Sequence, residues 1–156
     1  PWPSLLFLIG YLGGFILWMT LPTRLPFSSI KVIYWVTFGL FILHRVEERV
    51  SGFFAVLSDI TRVAVPEILS FPIILLLIVS IGAWLLGPLL YQRGYEFGHY
   101  LVWTFFASMG ITELAHFVLP LFTQAPYGYF PGMVSVFFLA PVAWFAMWRL
   151  TQKSAT

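Results

Sequence analysis

The sequence predicts an all-α integral membrane bundle of about five transmembrane helices with one interfacial amphipathic helix. Its hydrophobic fraction of 60% stands above the roughly 45–50% usual for soluble domains, and its charged fraction of 9% falls far below the usual ~25%. So few charges cannot cover a water-facing surface. Apolar runs of membrane-spanning length recur between breaks rich in Pro, Gly or charge, and aromatic residues reach 20%, as suits a chain whose Trp and Tyr sit at headgroup level. The formal charge of +2 comes from scattered basic residues and gives no footprint for nucleic acid. The absence of cysteine excludes disulfides, thiolate nucleophiles and cysteine-ligated metals.

The first span is expected over about 4–21, ended by Pro22, Thr23, Arg24 and Pro26. The chain opens with Pro1-Trp2-Pro3. No basic region precedes this apolar run and no small-residue cleavage site follows it, so it reads as a span and not as a signal peptide. The second span covers about 30–48. In 51–65, Phe53, Phe54, Val56, Leu57, Ile60, Val63 and Ala64 alternate with Ser51, Ser58, Asp59 and Arg62, the pattern of a helix lying at the membrane surface. The third span, about 66–91, holds the uninterrupted apolar stretch 73–79, with Gly87 and Pro88 near its far end. The fourth and fifth cover about 95–121 and 132–150. No repeat or low-complexity segment divides the chain, so 1–156 reads as one domain. The tryptophans Trp2, Trp18, Trp35, Trp84, Trp103, Trp144 and Trp148 read mostly as belt residues.

The basic residues suggest an orientation. Arg24, Lys31, Arg93, Arg149 and Lys153 fall on one side, Arg49 and Arg62 on the other, with Arg45 still within its helix. The positive-inside rule then puts the C-terminus in the cytoplasm and the N-terminus outside.

Ionisable residues inside spans cost roughly 2.5–3.5 kcal/mol each on insertion scales, so each needs a reason to be there. The second span ends in Leu43-His44-Arg45-Val46-Glu47-Glu48-Arg49, where spacings of three and four residues gather His44, Glu47 and Glu48 around one turn. The fourth carries Thr112-Glu113-Leu114-Ala115-His116, and Glu-x-x-His pairs on facing helices form the ligand set of di-iron carboxylate bundles. Threading places both motifs near the outer face. His99 lies 17 residues before His116, roughly 25 Å along a helix, and so belongs to the opposite end. The loop Tyr127-Gly128-Tyr129-Phe130-Pro131-Gly132 and the 51–65 helix emerge over the same outer end. Each motif also has a plain reading. Glu47 and Glu48 can be charges solvated where the helix leaves the membrane, with an Arg45 ion pair worth under ~1 kcal/mol. His116 can be a hydrogen-bonded packing residue, and the Pro131-Gly132 step a tight turn.

The same residues resemble a known family. His44-Arg45-Val46-Glu47-Glu48 matches the H-x-x-E-E signature of the HXXEE domain family, Tyr129-Phe130-Pro131-Gly132 matches its Y-x-P-G motif, and His116 fits its additional histidine. The resemblance runs from the second span to the start of the fifth, and Glu113 matches none of its motifs. It implies a small prokaryotic membrane protein and names no reaction.

Three function classes follow. In the first, a membrane-embedded metalloenzyme, His44, Glu47, Glu113 and His116 ligate one or two divalent ions (Zn, Fe or Mn) for hydrolysis or oxidation of a lipidic substrate. Glu48 then serves as general base or ligand, and Tyr129 donates a hydrogen bond from above. Arg45, awkward beside a cation, turns toward headgroups or a substrate phosphate. The second class is an accessory subunit that binds lipid or pigment, with His99 or His116 as axial ligand to a tetrapyrrole, or a carotenoid between the helices. The third is a proton- or ion-coupled transporter, which at this length calls for a homo-oligomer. In every class the chain resides in the bacterial cytoplasmic membrane, with the lipid bilayer and other membrane subunits as partners.

Overall fold

The computed structural model describes residues 3–23, 25–65, 67 and 70–152, with 3–7, 72, 73 and 76 described by backbone alone. Trp2, Arg24, Pro66 and Lys153, which enter the span limits, belt and charge asymmetry above, lie outside the described residues. The protein is all-helical, with no strand among the described residues. Its helices are α1 (Pro3–Thr20), α2 (Lys31–Val50), α3 (Phe53–Thr61), α4 (Phe71–Gln92), α5 (Glu96–Gly110), α6 (Ala115–Val118) and α7 (Met133–Thr151). Short 3₁₀ turns at Phe27–Ser29, Thr112–Leu114 and Leu119–Phe122 join some of them. Two helical stretches, Glu96–Phe122 of 27 residues and Met133–Thr151 of 19, are long and apolar enough to cross a membrane. Leu8–Thr20 and Leu77–Gln92 are apolar but shorter. The surface stretch expected over 51–65 is helical over Phe53–Thr61, bounded by left-handed Gly52 (φ 76°) and Arg62 (φ 59°), and none of its residues is fully buried.

Helix α5 is the axis of the fold. Leu101 through Ala107 are all buried, so the helix is enclosed all round. Trp103 is fully buried and donates from its indole to Thr23 Oγ1 at 2.8 Å, while Trp84 packs at 5.3 Å from Phe105. These two tryptophans are core residues and not belt residues. Small side chains set the approach of α1: Gly10 and Gly14, one turn apart, rest on Ser108 and Thr104 of α5, leaving no room for a Cβ. Buried Tyr34 ties α2 to α4 through its hydroxyl, which donates to the Trp84 carbonyl at 2.6 Å.

The stretch expected as a span over 95–121 is helical over Glu96–Phe122, but its α-helix gives way to a 3₁₀ turn after Gly110. The Gly110 carbonyl, which would ordinarily accept from Leu114, accepts instead from Trp144 Nε1 at 2.5 Å. Leu114 N–H turns to Ile111 O at 3.2 Å, and the chain tightens into the 3₁₀ turn Thr112–Leu114. Only glycine admits this, because a Cβ on Gly110 would stand 2.8 Å from Trp144 Cδ1. The break re-aims everything that follows, including Glu113 and His116.

Packing of this kind predicts a contrast between two glycines. A Cβ on Gly98 would run into the Leu90–Tyr91 backbone of α4, whereas one on Gly39 meets nothing within 4 Å. Gly98→Ala is expected to destabilise the protein by about 2 kcal/mol or more through overpacking. Gly39→Ala is expected to be neutral or to stabilise by up to ~1 kcal/mol through helix propensity. Thermal unfolding of both variants in one detergent checks the pair.

Candidate metal centre

His44 and Glu48 are four residues apart on α2, so they share a face and both are buried. The turn after α5 brings Glu113 and His116 opposite them. His44 Nε2 lies 3.2 Å from Glu113 Oε2 and 3.5 Å from Glu48 Oε1. His116 Nε2 lies 3.3 Å from Glu48 Oε1 and 3.4 Å from Glu113 Oε2. The two imidazole rings meet edge to face with centroids 4.7 Å apart. One donor atom from each of the four residues lies within 4.8 Å of the other three, and this group can hold a metal ion. Side-chain exposure is 0% for His44, 2% for His116, 5% for Glu48 and 13% for Glu113, so the cluster opens only on the Glu113 side.

The outer nitrogens of both histidines are committed. His116 Nδ1 faces the Pro131 carbonyl at 2.6 Å; a carbonyl only accepts, so this nitrogen carries the hydrogen. His44 Nδ1 lies 2.8 Å from Ser135 Oγ, which also lies 3.1 Å from Gly132 O; with the serine hydrogen on that carbonyl, His44 Nδ1 is the donor. In the neutral imidazoles both Nε2 atoms then present lone pairs to the carboxylate oxygens. Neutral imidazoles would thus bring four acceptors together, which either a cation or hydrogens on the two Nε2 atoms would satisfy. Holding the far nitrogen of a histidine on a carbonyl or hydroxyl is also how proteins fix a metal-ligating tautomer.

Arg45 completes the arrangement. Its Nη1 pairs with Glu48 Oε2 at 2.8 Å and its Nη2 with Glu113 Oε1 at 2.5 Å, which leaves the other oxygen of each carboxylate facing the histidines. The guanidinium carbon sits 5.4 Å from the Phe41 ring centroid. Arg45 was expected to turn toward headgroups or a substrate; instead it clasps both carboxylates, with 31% of its side chain exposed.

Two other expected members stand apart. Glu47, expected among the ligands, lies about 100° around α2 from Glu48 and faces away from the cluster. Its carboxylate accepts from Ser135 N–H at 2.7 Å, Val134 N–H at 3.2 Å and the Tyr129 hydroxyl at 2.9 Å. It therefore caps the start of α7 from a neighbouring helix, where free N–H groups favour an anion. Tyr129, expected as a donor to the site, spends its hydroxyl on Glu47 and does not reach the cluster. His99 stacks on Tyr91 with centroids 4.2 Å apart and takes no part.

The sequence reading missed Ser135, the Pro131 carbonyl and the aromatic cover. Phe53 and buried Phe130 lie 5.1 and 5.9 Å from the His116 ring and 6.0 Å from each other. The motif Tyr129-Phe130-Pro131-Gly132 was a usable signal: Gly132 adopts φ 92°, and a Cβ there would stand 2.6 Å from His116 Cε1 and 2.8 Å from His44 Cε1.

Two substitutions test this support. Gly132→Ala combines an unfavourable backbone with a direct clash on both imidazoles, and is expected to destabilise by roughly 2–3 kcal/mol. Gly128→Ala, with only the Pro126 carbonyl 3.8 Å away, is the milder control. Glu47→Ala leaves the first N–H groups of α7 without their acceptor and is expected to cost about 1–2 kcal/mol. Chemical or thermal unfolding reads all three.

Comparison with models of known protein families, with curated proteins and with solved structures gives no match for this chain.

Proposed function

We propose that this chain is a multi-pass protein of the bacterial cytoplasmic membrane, with about five spans, that holds a divalent cation among His44, Glu48, Glu113 and His116. In this reading it acts as a membrane-embedded, metal-dependent hydrolase or oxidoreductase on a lipidic substrate. The likeness to the HXXEE domain family belongs to the same proposal and rests on His44, Glu47, Glu48, His116, Tyr129, Pro131 and Gly132. The observation that carries the metal reading is the convergence of two imidazole Nε2 atoms and two carboxylate oxygens within 4.8 Å, with both Nδ1 atoms engaged elsewhere. Nitrogen and oxygen donors without sulfur suit Zn, Fe or Mn. A divalent cation there would supply Lewis acidity and, with a position left open to solvent, an activated water.

Several features support the membrane setting. Outward faces are strongly apolar: Ile78 is 64% exposed on α4 and Phe137 66% on α7, while the polar cluster lies inside. The orientation with the C-terminus in the cytoplasm rests on Lys31, Arg93 and Arg149 against Arg49 and Arg62. For the lipidic substrate, the support is a groove of about 710 Å³ lined by neighbours of Glu113 and His116 in sequence, though by neither residue itself. It is lined by Ile9, Ile60, Ile111, Leu114, Val118 and Phe122, a surface that suits a hydrocarbon chain.

One observation favours a second reading, a non-catalytic subunit of a larger membrane assembly. Four protein donors already satisfy a four-coordinate cation, as structural sites do. Turnover separates the two. Purified protein incubated with total bacterial lipid is expected to release a product seen by mass spectrometry, and Glu113→Gln is expected to abolish it. An unchanged lipid profile favours the subunit.

Metal analysis tests the shared claim. The wild type is expected to retain about one equivalent of metal after dialysis, His44→Ala and His116→Ala to lose it, and folded Glu47→Gln to keep it, since Glu47 faces away. A metal-free wild type whose circular dichroism and unfolding are unchanged by added cations would show the cluster to be an ion-pair network of protonated imidazoles.

A further inference from the structure

We infer that Arg45 sets the coordination of this centre, holding Glu48 and Glu113 to one oxygen each and so making it a four-coordinate, zinc-selective site. The inference rests on the metal reading above and removes oxidation from its chemistry, because zinc has no redox chemistry of its own; hydrolysis at such a centre would need a water to enter as a fifth ligand or to displace one of the four.

A carboxylate can bind a cation through one oxygen or two. Here the outer oxygens, Glu48 Oε2 and Glu113 Oε1, are both held by the guanidinium, through Nη1 at 2.8 Å and Nη2 at 2.5 Å. The fork is planar and rigid, so its two arms fix the two carboxylates relative to each other as well as singly. The Phe41 ring, 5.4 Å from the guanidinium carbon, backs that plane. Each carboxylate therefore offers one oxygen, and each histidine one nitrogen.

The nitrogen–oxygen spacings of these four atoms are compatible with that count, while the set as a whole lies within 4.8 Å and closes further around a tetrahedral cation. The four nitrogen–oxygen separations are 3.2, 3.3, 3.4 and 3.5 Å. A tetrahedral cation with bonds of about 2.0–2.1 Å keeps its ligands about 3.3–3.4 Å apart. An octahedral cation at about 2.1 Å brings its cis neighbours to about 3.0 Å and takes two further donors, from water where the protein offers none. Among the described residues the cluster has only these four members, and Glu47, the nearest carboxylate in sequence, is bound to the start of α7. Releasing the outer oxygens would let both carboxylates turn bidentate and make room for manganese or iron. Arg45 prevents that. It is a positioning residue that acts through Glu48 and Glu113.

Cobalt(II) reports the geometry directly, since four-coordinate cobalt has intense visible bands and six-coordinate cobalt only weak ones. Purified, chelator-stripped protein loaded with cobalt is expected to show the intense bands. Arg45→Met is expected to bind cobalt still but to lose them, and its preference for zinc over manganese in competition is expected to fall about tenfold or more. Arg45→Lys keeps the charge without the fork and is expected to behave like the Met variant; it also serves if Arg45→Met does not fold. Intense bands retained in Arg45→Lys would overturn the inference, as would weak bands in the wild type, and either leaves the metal reading standing. A wild type that takes up no cobalt would overturn both.

Discussion

Two carboxylates enclosed with two imidazoles place a strict electrostatic constraint on this fold. Buried charge is tolerated when it is paired and hydrogen-bonded, and removing one partner then strands the other. Arg45 neutralises one of the two negative charges of Glu48 and Glu113, so with neutral histidines the group keeps a net charge of −1 among four converging acceptor atoms. A cation in their midst resolves the conflict, as would protons on both imidazoles. The surrounding structure engages both Nδ1 atoms and leaves both Nε2 atoms facing the carboxylates, an arrangement that serves either a cation or a pair of protons.

That arrangement draws on three separate parts of the chain. Helix α2 supplies His44, Arg45 and Glu48 on one face and Glu47 on another. The break after Gly110, made by the Trp144 indole, tightens the chain so that Glu113 and His116 face α2. The turn into α7 then presents the Pro131 carbonyl and Ser135 to the outer nitrogens of the two histidines. Glu47 fastens this turn by accepting from the first N–H groups of α7. The two adjacent glutamates thus divide the work: Glu48 belongs to the centre, and Glu47 holds the segment that orients it. Glycine at position 132 lets all these pieces close on one another.

Much of this was legible in the sequence. The i, i+4 spacing of His44 and Glu48, and the Glu113–His116 pair, foretold two half-sites, and counting residues along the helices put them at one level. The helical class followed from composition and the recurrence of apolar runs. Other features could not be read. Adjacent glutamates look alike in sequence, and only the position of α7 decides which of them faces the cluster. The 3₁₀ turn after Gly110 depends on a hydrogen bond between Gly110 and Trp144, 34 residues apart, which no local pattern encodes. The Pro131 carbonyl has no side-chain signature. Trp84 and Trp103 were misread because indole suits both a membrane belt and a core, and only the packing around α5 distinguishes them. Arg45 looked like an obstacle to a cation; the structure shows it engaged with the carboxylate oxygens turned away from the histidines.

The most direct test of this account is an anomalous difference map from crystals of the purified protein, recorded at the absorption edge of the metal they contain. The account predicts one peak about 2.0–2.2 Å from His44 Nε2, His116 Nε2, Glu48 Oε1 and Glu113 Oε2. A map without a peak there, with the imidazoles hydrogen-bonded directly to the carboxylates, would contradict it.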